Sequence, residues 1–402
     1  MPKKTSYASD LLGLSRLTID AVAGISDLAQ SLHMQILNQG VARGTPLLKP
    51  IAGVTHLVYR SVHGVTRLVG GSIERVLAPL TPLLGQNWSG RDALLAAVNG
   101  VLGDHLESSK NPLAIPMQLR IAGHALTLTP AALAQALPAA LPRVHGRILV
   151  LAHGLCMNDL QWLRAGTDHG ANLMLERGYC SLYLHYNTGR HISSNGAQFA
   201  HTLQAMCDAW PVPVEEIVIL GHSMGGLITR SACHIAQQAK LGWLSKLSKI
   251  VFLGSPHQGA PLERGGNWVN ILTDANAYSA PFSRLAKIRS AGITDLRHGS
   301  LLASDWQDKD RFAHSSTLPG TVPLPKNVAC FAIAATLGKR IGDISDISLG
   351  DGLVPLASAL GQHTLPERRL DFATERQAIV YQTNHLDLLN SPMVTQLLLA
   401  WL

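Results

Sequence analysis

The run Glu216-Ile217-Val218-Ile219-Leu220-Gly221-His222-Ser223-Met224-Gly225-Gly226 limits the fold of this 402-residue chain more than any other segment. Its apolar, β-branched start reads as a buried strand that stops at Gly221. Beyond the turn, Leu227, Ile228, Ala232, Ile235 and Ala239 return at helical spacing. Between strand and helix lies Gly-x-Ser-x-Gly. Gly221 and Gly225 are expected where strand and helix backbones approach too closely for side chains. The serine between them would sit in a strained conformation, its hydroxyl raised above the sheet edge. The Met224 N–H, first in the helix, would then point where an oxyanion forms.

The surrounding chain has the texture this turn needs. Buried strands are expected over 147–152, 180–186, 249–253, 328–334 and 377–381. Helices are expected over 159–177, 196–209 and 392–402. Strands alternating with helices predict an α/β fold with a mostly parallel, doubly wound sheet. The alternation breaks down over 259–325, a stretch holding Trp268, Tyr278, Phe282 and Trp306. An insertion there would lie over the carboxyl ends of the strands, and it reads as a cap.

The first 110 residues differ. Residues 15–40 read as a helix with the stripe Val22, Ile25, Leu28, Leu32 and Ile36. Residues 46–78 read as a longer one, apolar along Ile51, Val54, Val58, Val62, Val65, Val69, Ile73 and Val76. Its other side carries His56, Arg60, His63, Arg67 and Arg75. Ser89 with Asp92 resembles a capping box for a helix to about residue 106. The expected division is thus an N-terminal amphipathic helical region over 1–110 and a catalytic domain over 111–402. The latter opens with a hairpin around Gly123-His124 and a short helix over 131–141. The first region is expected to pack as a helical layer, with membrane-surface attachment or oligomerisation as alternatives.

Charge supports that division. The net charge is +7, and residues 1–145 hold twelve Lys/Arg against seven Asp/Glu, which suits an anionic lipid surface. Basic and aromatic residues do not interleave, so nucleic acid is not an expected partner. The polar Ser6, Ser9 and Asp10 argue against a secretory signal, and no apolar stretch reaches membrane-spanning length. Five scattered cysteines have no metal or redox spacing. A reducing, cytoplasmic setting follows, with contact to a membrane surface through the N-terminal helices, and no cofactor or metal is expected. The oligomeric state is left open.

A serine hydroxyl needs a base, and the base an orienting acid. On such a sheet the chain order is serine, acid, histidine. Asp351 fits the acid, in Gly350-Asp351-Gly352-Leu353-Val354-Pro355, with Asp343 and Asp346 as rivals in the same loop. His385 fits the base, directly after the last strand, whereas no strand precedes its rival His363. His153-Gly154-Leu155 ends the 147–152 strand, and Gly154 permits a turn aiming the Leu155 N–H at the site. His153, Gly154 and His257 are candidate substrate-lining residues, with structural packing an equal reading for His257.

Four stretches then carry a resemblance. His153-Gly154-Leu155, Gly221-His222-Ser223-Met224-Gly225-Gly226, Gly254-Ser255-Pro256-His257-Gln258-Gly259 and the 350–355 loop are similar to those of α/β-hydrolase serine lipases and esterases. The closest style is the GPI inositol-deacylase-like and triacylglycerol-lipase-like branch, over about 143–402. The resemblance implies Ser223, Asp351 and His385 as triad and Leu155 and Met224 as oxyanion-hole donors. It also implies hydrolysis of carboxylic esters, and the basic 46–78 helix with the long cap points to lipid-like ones. Ser255 stands where that branch often has Thr. A thioesterase, acyltransferase, polyester depolymerase or non-catalytic membrane-surface binder are the competing expectations.

Overall fold

The computed structural model describes residues 91–260, 290–307, 319–340 and 350–402. The helices expected over 15–40 and 46–78, Ser89, much of 259–325, Asp343 and Asp346 lie outside the described residues. The chain divides into two compact units. Of the first, only Leu106–Ala114 is described. There the Asn111 N–H donates to the Leu106 carbonyl (2.8 Å), and Asn111 Oδ1 receives the Leu113 N–H (2.9 Å). The second unit, Gly90–His105 and Ile115–Leu402, holds the sheet.

Eight strands are described: β1 (Gln118–Ile121), β2 (His124–Ala125), β3 (Arg147–Ala152), β4 (Cys180–His185), β5 (Glu216–His222), β6 (Leu247–Leu253), β7 (Ala329–Ala335) and β8 (Gln377–Val380). They form one sheet in the order β2-β1-β4-β3-β5-β6-β7-β8. The β1–β2 hairpin turns at Ala122-Gly123 and lies antiparallel to β4, and every pair from β4 to β8 is parallel. Residues 148–152 and 217–220 are fully buried, as apolar runs covered on both faces must be.

The described helices are α1 (Arg91–Ser108), α2 (Pro130–Ala140), α3 (His169–Arg177), α4 (Ile192–Ala209), α5 (Met224–Ala239), α6 (Ala291–His298), α7 (Leu356–Ala359) and α8 (Pro392–Trp401). One sheet face buries Leu149, Leu151, Val218, Leu220, Val251, Leu253 and Ile333 against Trp162, Leu173 of α3, and Val394 and Leu398 of α8. Each such aliphatic side chain contributes roughly 1.5–3 kcal/mol on burial. Elsewhere α4 and α5 pack so closely that a Cβ on Gly196 would lie 2.3 Å from Ser231 Oγ. The strand order reverses at β3, which pairs with both β4 and β5. A crevice therefore opens beyond the carboxyl ends of β3 and β5, where open α/β sheets bind ligands.

Among the boundaries that differ from the sequence reading, three differ by two residues or more in the catalytic sheet and its helices. The helix expected over 159–177 is a 3-10 turn, Asp159–Trp162, followed by α3. Ala165 (φ 47°) and Gly166 (φ 80°) reverse the chain between them, and Arg164 bridges to Thr167. Helix α4 starts at Ile192, ahead of the expected 196. Its first N–H donates to Asp295 Oδ2 (2.8 Å), a cap lent by α6 from a hundred residues away. Strand β6 starts two residues early, at Leu247. In the 259–325 insertion, α6 is held by that cap and by Asp295 on His191 (3.0 Å), and Trp306 stacks on the His191 ring at 3.7 Å.

Candidate active site

Strand β5 ends at His222 and α5 begins at Met224, so Ser223 alone makes the turn. Its φ of 54° and ψ of −122° lie where only glycine is comfortable. The turn is held from both sides: the Ser223 N–H donates to the Leu253 carbonyl (2.8 Å), and its own carbonyl receives the Gly226 N–H (3.1 Å). The glycines explain themselves by contact. A Cβ on Gly225 would meet the Ala152 carbonyl oxygen at 2.0 Å, and one on Gly221 would meet Gly226 Cα at 2.7 Å. Helix α5 is thereby pressed against the end of β3.

The acid and the imidazole come from the loops after β7 and β8. Asp351 is 1% exposed and His385 4%. The His385 Nδ1–H donates to Asp351 Oδ2 at 2.7 Å, while Asp351 Oδ1 accepts the backbone N–H groups of Leu353 (3.0 Å) and Val354 (2.8 Å). The His385 N–H closes back on the Asp351 carbonyl (3.0 Å). With Nδ1 donating, the Nε2 lone pair is free to act as a base.

The pair lies at the serine turn. His222, next to Ser223 in the chain, bonds through Nε2 to the His385 carbonyl (3.1 Å), and the two rings lie 4.7 Å apart. Gly254 follows the residue that receives the Ser223 N–H. A Cβ there would lie 3.2 Å from both His385 Cε1 and Asp351 Oδ2. The rival His363 is elsewhere, its Nδ1 taken by the Leu365 N–H.

Across the crevice, the loop after β3 approaches the same turn: a Cβ on Gly154 would lie 3.0 Å from Ser223 Cβ. Its hydrogen bonds are spoken for on either side of Leu155. The Tyr186 hydroxyl donates to the His153 carbonyl (2.8 Å), His153 Nδ1 to the Gly154 carbonyl (2.9 Å), and the Cys156 N–H to Thr188 Oγ1 (3.1 Å). The Leu155 and Met224 N–H groups have no partner among the described residues. His153 itself is fully buried and stacked on Tyr186 at 4.5 Å, so its ring shapes the loop from behind. Burial pulls its pKa down to about 3, and burial also holds His222 neutral. His257 is buried too, against the rings of Phe252 (4.8 Å) and Phe372 (5.5 Å). A Cβ on Gly225 would also lie 2.8 Å from the His153 carbonyl oxygen, so His153 and Gly154 both border the serine turn.

A cleft of about 260 Å³ is lined by Met157, Gln161, Leu163, Arg164, Ala165 and Leu386, with Leu163 62% exposed. Leu386 follows His385 in the chain, and Met157 lies two residues after Leu155. Sequence reasoning passed over His222, Tyr186 and Thr188, which hold the pieces together. The available signal was position: His222 ends β5, Tyr186 directly follows β4, and Thr188 lies two residues further on. Among the described residues no cluster of His, Cys, Asp or Glu could hold a metal, and no helix is long and apolar enough to cross a membrane.

Residues 144–323 match the family model described as the PGAP1-like alpha/beta domain. No curated protein matches the chain in sequence. Among solved structures, the mature form of the Bacillus licheniformis lipase BlEst2 is similar, at 15% identity and a TM-score of 0.41, covering 64% of this chain and 95% of that one. A lipase-esterase related protein from Clostridium acetobutylicum aligns at 12% identity and 0.35, covering 64% and 95%. An esterase from Pyrobaculum calidifontis aligns at 15% and 0.35, covering 64% and 76%. The sheet order and the serine turn are those of an α/β-hydrolase fold, and residues 144–323 match the PGAP1-like alpha/beta domain.

Proposed function

We propose that this chain is a serine hydrolase that cleaves carboxylic esters through an acyl-enzyme. Ser223 is the nucleophile, His385 the base and Asp351 the group that orients it. The observation carrying this reading is the His385–Asp351 hydrogen bond of 2.7 Å, set against a serine at φ 54°. His385 Nε2 takes the Ser223 proton as Oγ attacks the ester carbonyl. Asp351, held by two backbone N–H groups, keeps the Nδ1 proton and stabilises the imidazolium. The developing oxyanion accepts from the Leu155 and Met224 N–H groups, which need no reorganisation to receive it. The imidazolium then protonates the leaving alcohol, and water activated by the same nitrogen releases the acid.

The substrate reading is a lipid-like ester. Support comes from the exposed Leu163 at the cleft and from the apolar, basic 46–78 segment, which we assign to contact with an anionic membrane surface. Ser223→Ala is expected to abolish p-nitrophenyl ester turnover and fluorophosphonate labelling, and turnover at the wild-type rate in that variant would refute the nucleophile. Vesicle sedimentation with an acyl-chain-length panel tests the lipid preference. No vesicle binding, together with preference for short water-soluble esters, would refute it.

A further inference from the structure

Helix α1 ends well ahead of residue 144, where the PGAP1-like match begins. It is nonetheless built into the loop that carries Leu155. Gly100 and Gly103 stand one turn apart on the same side of the helix. A Cβ on Gly100 would lie 2.1 Å from Cys156 Sγ and 3.0 Å from Cys156 Cα. One on Gly103 would run into Asn187 Oδ1. The Asn187 side chain takes that space, its Nδ2 donating to the Gly103 carbonyl (2.9 Å) and its Oδ1 accepting the Gly189 N–H (3.1 Å). A Cβ on Gly189 would in turn meet the Asn99 carbonyl oxygen at 2.1 Å. Helix α1 therefore presses on two loops, the one after β3 at Cys156 and the one after β4 at 187–189.

A hydrogen bond joins those loops, from the Cys156 N–H to Thr188 Oγ1 (3.1 Å). Cys156 has a φ of 60°, a left-handed conformation that a residue other than glycine keeps only where its surroundings over-determine it. Those surroundings are the Thr188 hydroxyl on its N–H, Gly100 against its Cα and the Ala97 carbonyl 3.9 Å from its thiol. Helix α6 closes round the same spot. The Ser290 hydroxyl donates to the Gly100 carbonyl (2.7 Å), the Ala291 N–H to Asp104 Oδ2 (3.0 Å) and the Gly292 N–H to the Gly189 carbonyl (3.0 Å).

Relaxation of Cys156 to negative φ would rotate the peptide group joining it to Leu155, and with it the Leu155 N–H. We propose that Gly100 and Thr188 are positioning residues for the oxyanion hole, given Leu155 as an oxyanion donor in the proposed mechanism. They hold Cys156 in its left-handed conformation and so aim the Leu155 N–H. The hole is then built jointly by the loops of the sheet and by a helix that precedes the first strand. Removing an oxyanion donor outright costs about 10^2–10^3-fold in kcat, so turning one aside should cost about 10- to 100-fold.

Thr188→Val keeps the branched shape and deletes the acceptor, and Thr188→Ser keeps the acceptor. With p-nitrophenyl butyrate, Thr188→Val is expected to lower kcat about 10- to 100-fold with KM within about twofold, and Thr188→Ser to recover most of that rate. A trifluoromethyl alkyl ketone, whose adduct with the serine carries the oxyanion, should lose affinity by the same factor as kcat/KM. Gly100→Ala should lower kcat in the same way, and Cys156→Ala added to it removes the sulfur in the way and should restore much of the rate. Melting curves verify that each variant is folded. Wild-type kcat in folded Thr188→Val or Gly100→Ala, a loss that Thr188→Ser shares in full, a loss carried by KM, or unchanged ketone affinity would each overturn the proposal. Ester turnover that survives Ser223→Ala would instead remove the mechanism on which it rests.

Discussion

Replacing Asp351 by Asn tests the site with a change of one atom. The residue has two jobs, divided between its oxygens. Oδ1 accepts the N–H groups of Leu353 (3.0 Å) and Val354 (2.8 Å), and Oδ2 accepts the His385 Nδ1–H (2.7 Å). An asparagine has one accepting end. Placing its NH2 toward the two backbone donors would forfeit two buried hydrogen bonds, at about 1–3 kcal/mol each. The amide oxygen therefore stays on the backbone, and the NH2 takes the Oδ2 position, 2.7 Å from His385 Nδ1. Facing a donor, Nδ1 must accept, and the ring proton moves to Nε2. That nitrogen can no longer receive the Ser223 proton. The expected loss is about 10^4-fold in kcat, equivalent to about 5 kcal/mol of transition-state stabilisation. KM should change little. The assay is p-nitrophenyl butyrate hydrolysis, with far-UV circular dichroism and a melting curve to verify folding. A folded Asp351→Asn variant within tenfold of the wild-type kcat would refute the tautomer argument and the role of Asp351.

Other expectations follow from the same contacts. Gly225→Ala places a methyl 2.0 Å from a backbone oxygen that cannot move aside, so it should cost at least about 3 kcal/mol in denaturant unfolding; a cost under 1 kcal/mol would disprove the close approach. Tyr186→Phe keeps the ring stacked on His153 but removes the hydroxyl bond to its carbonyl, and should lower kcat several-fold with stability reduced by about 1 kcal/mol; unchanged kcat would deny that this bond positions the Leu155 loop. Burial lowers the pKa values of His153, His222 and His257, so the folded chain binds fewer protons than the unfolded one below pH about 6.5. Stability should therefore be fully present above that pH. It should fall as pH drops toward His153's value of about 3, by up to about 4 kcal/mol per pH unit if all three contribute. Asp295, raised by burial, offsets this only where it titrates itself. Urea midpoints that stay flat from pH 7 to 5 would contradict the neutral assignments.

What the sequence disclosed and what it hid have physical causes. Strands β3 and β5 were legible because parallel strands covered on both faces leave long apolar runs. The serine turn was legible because its glycines are demanded by backbone contact within a few residues. The end of β8 pointed to His385 for a similar local reason. The 159–177 region was misread because its first part is set by distant partners: Asp159 is buried against Arg120 (3.2 Å) and His185 (2.9 Å). The start of α4 depends on Asp295, a cap that local spacing cannot reveal. For His257 the sequence left lining and packing equal, because a strand end puts many side chains there, and the ring is found buried against Phe252 and Phe372.

The backbone of Ser223 has an implication for how such a chain can drift. A glycine at that corner would relieve roughly 1–3 kcal/mol of conformational strain and leave every neighbouring contact in place. Robustness and reactivity thus pull the same codon in opposite directions. On the proposed mechanism the toughest version of this protein would be one that had given up its chemistry.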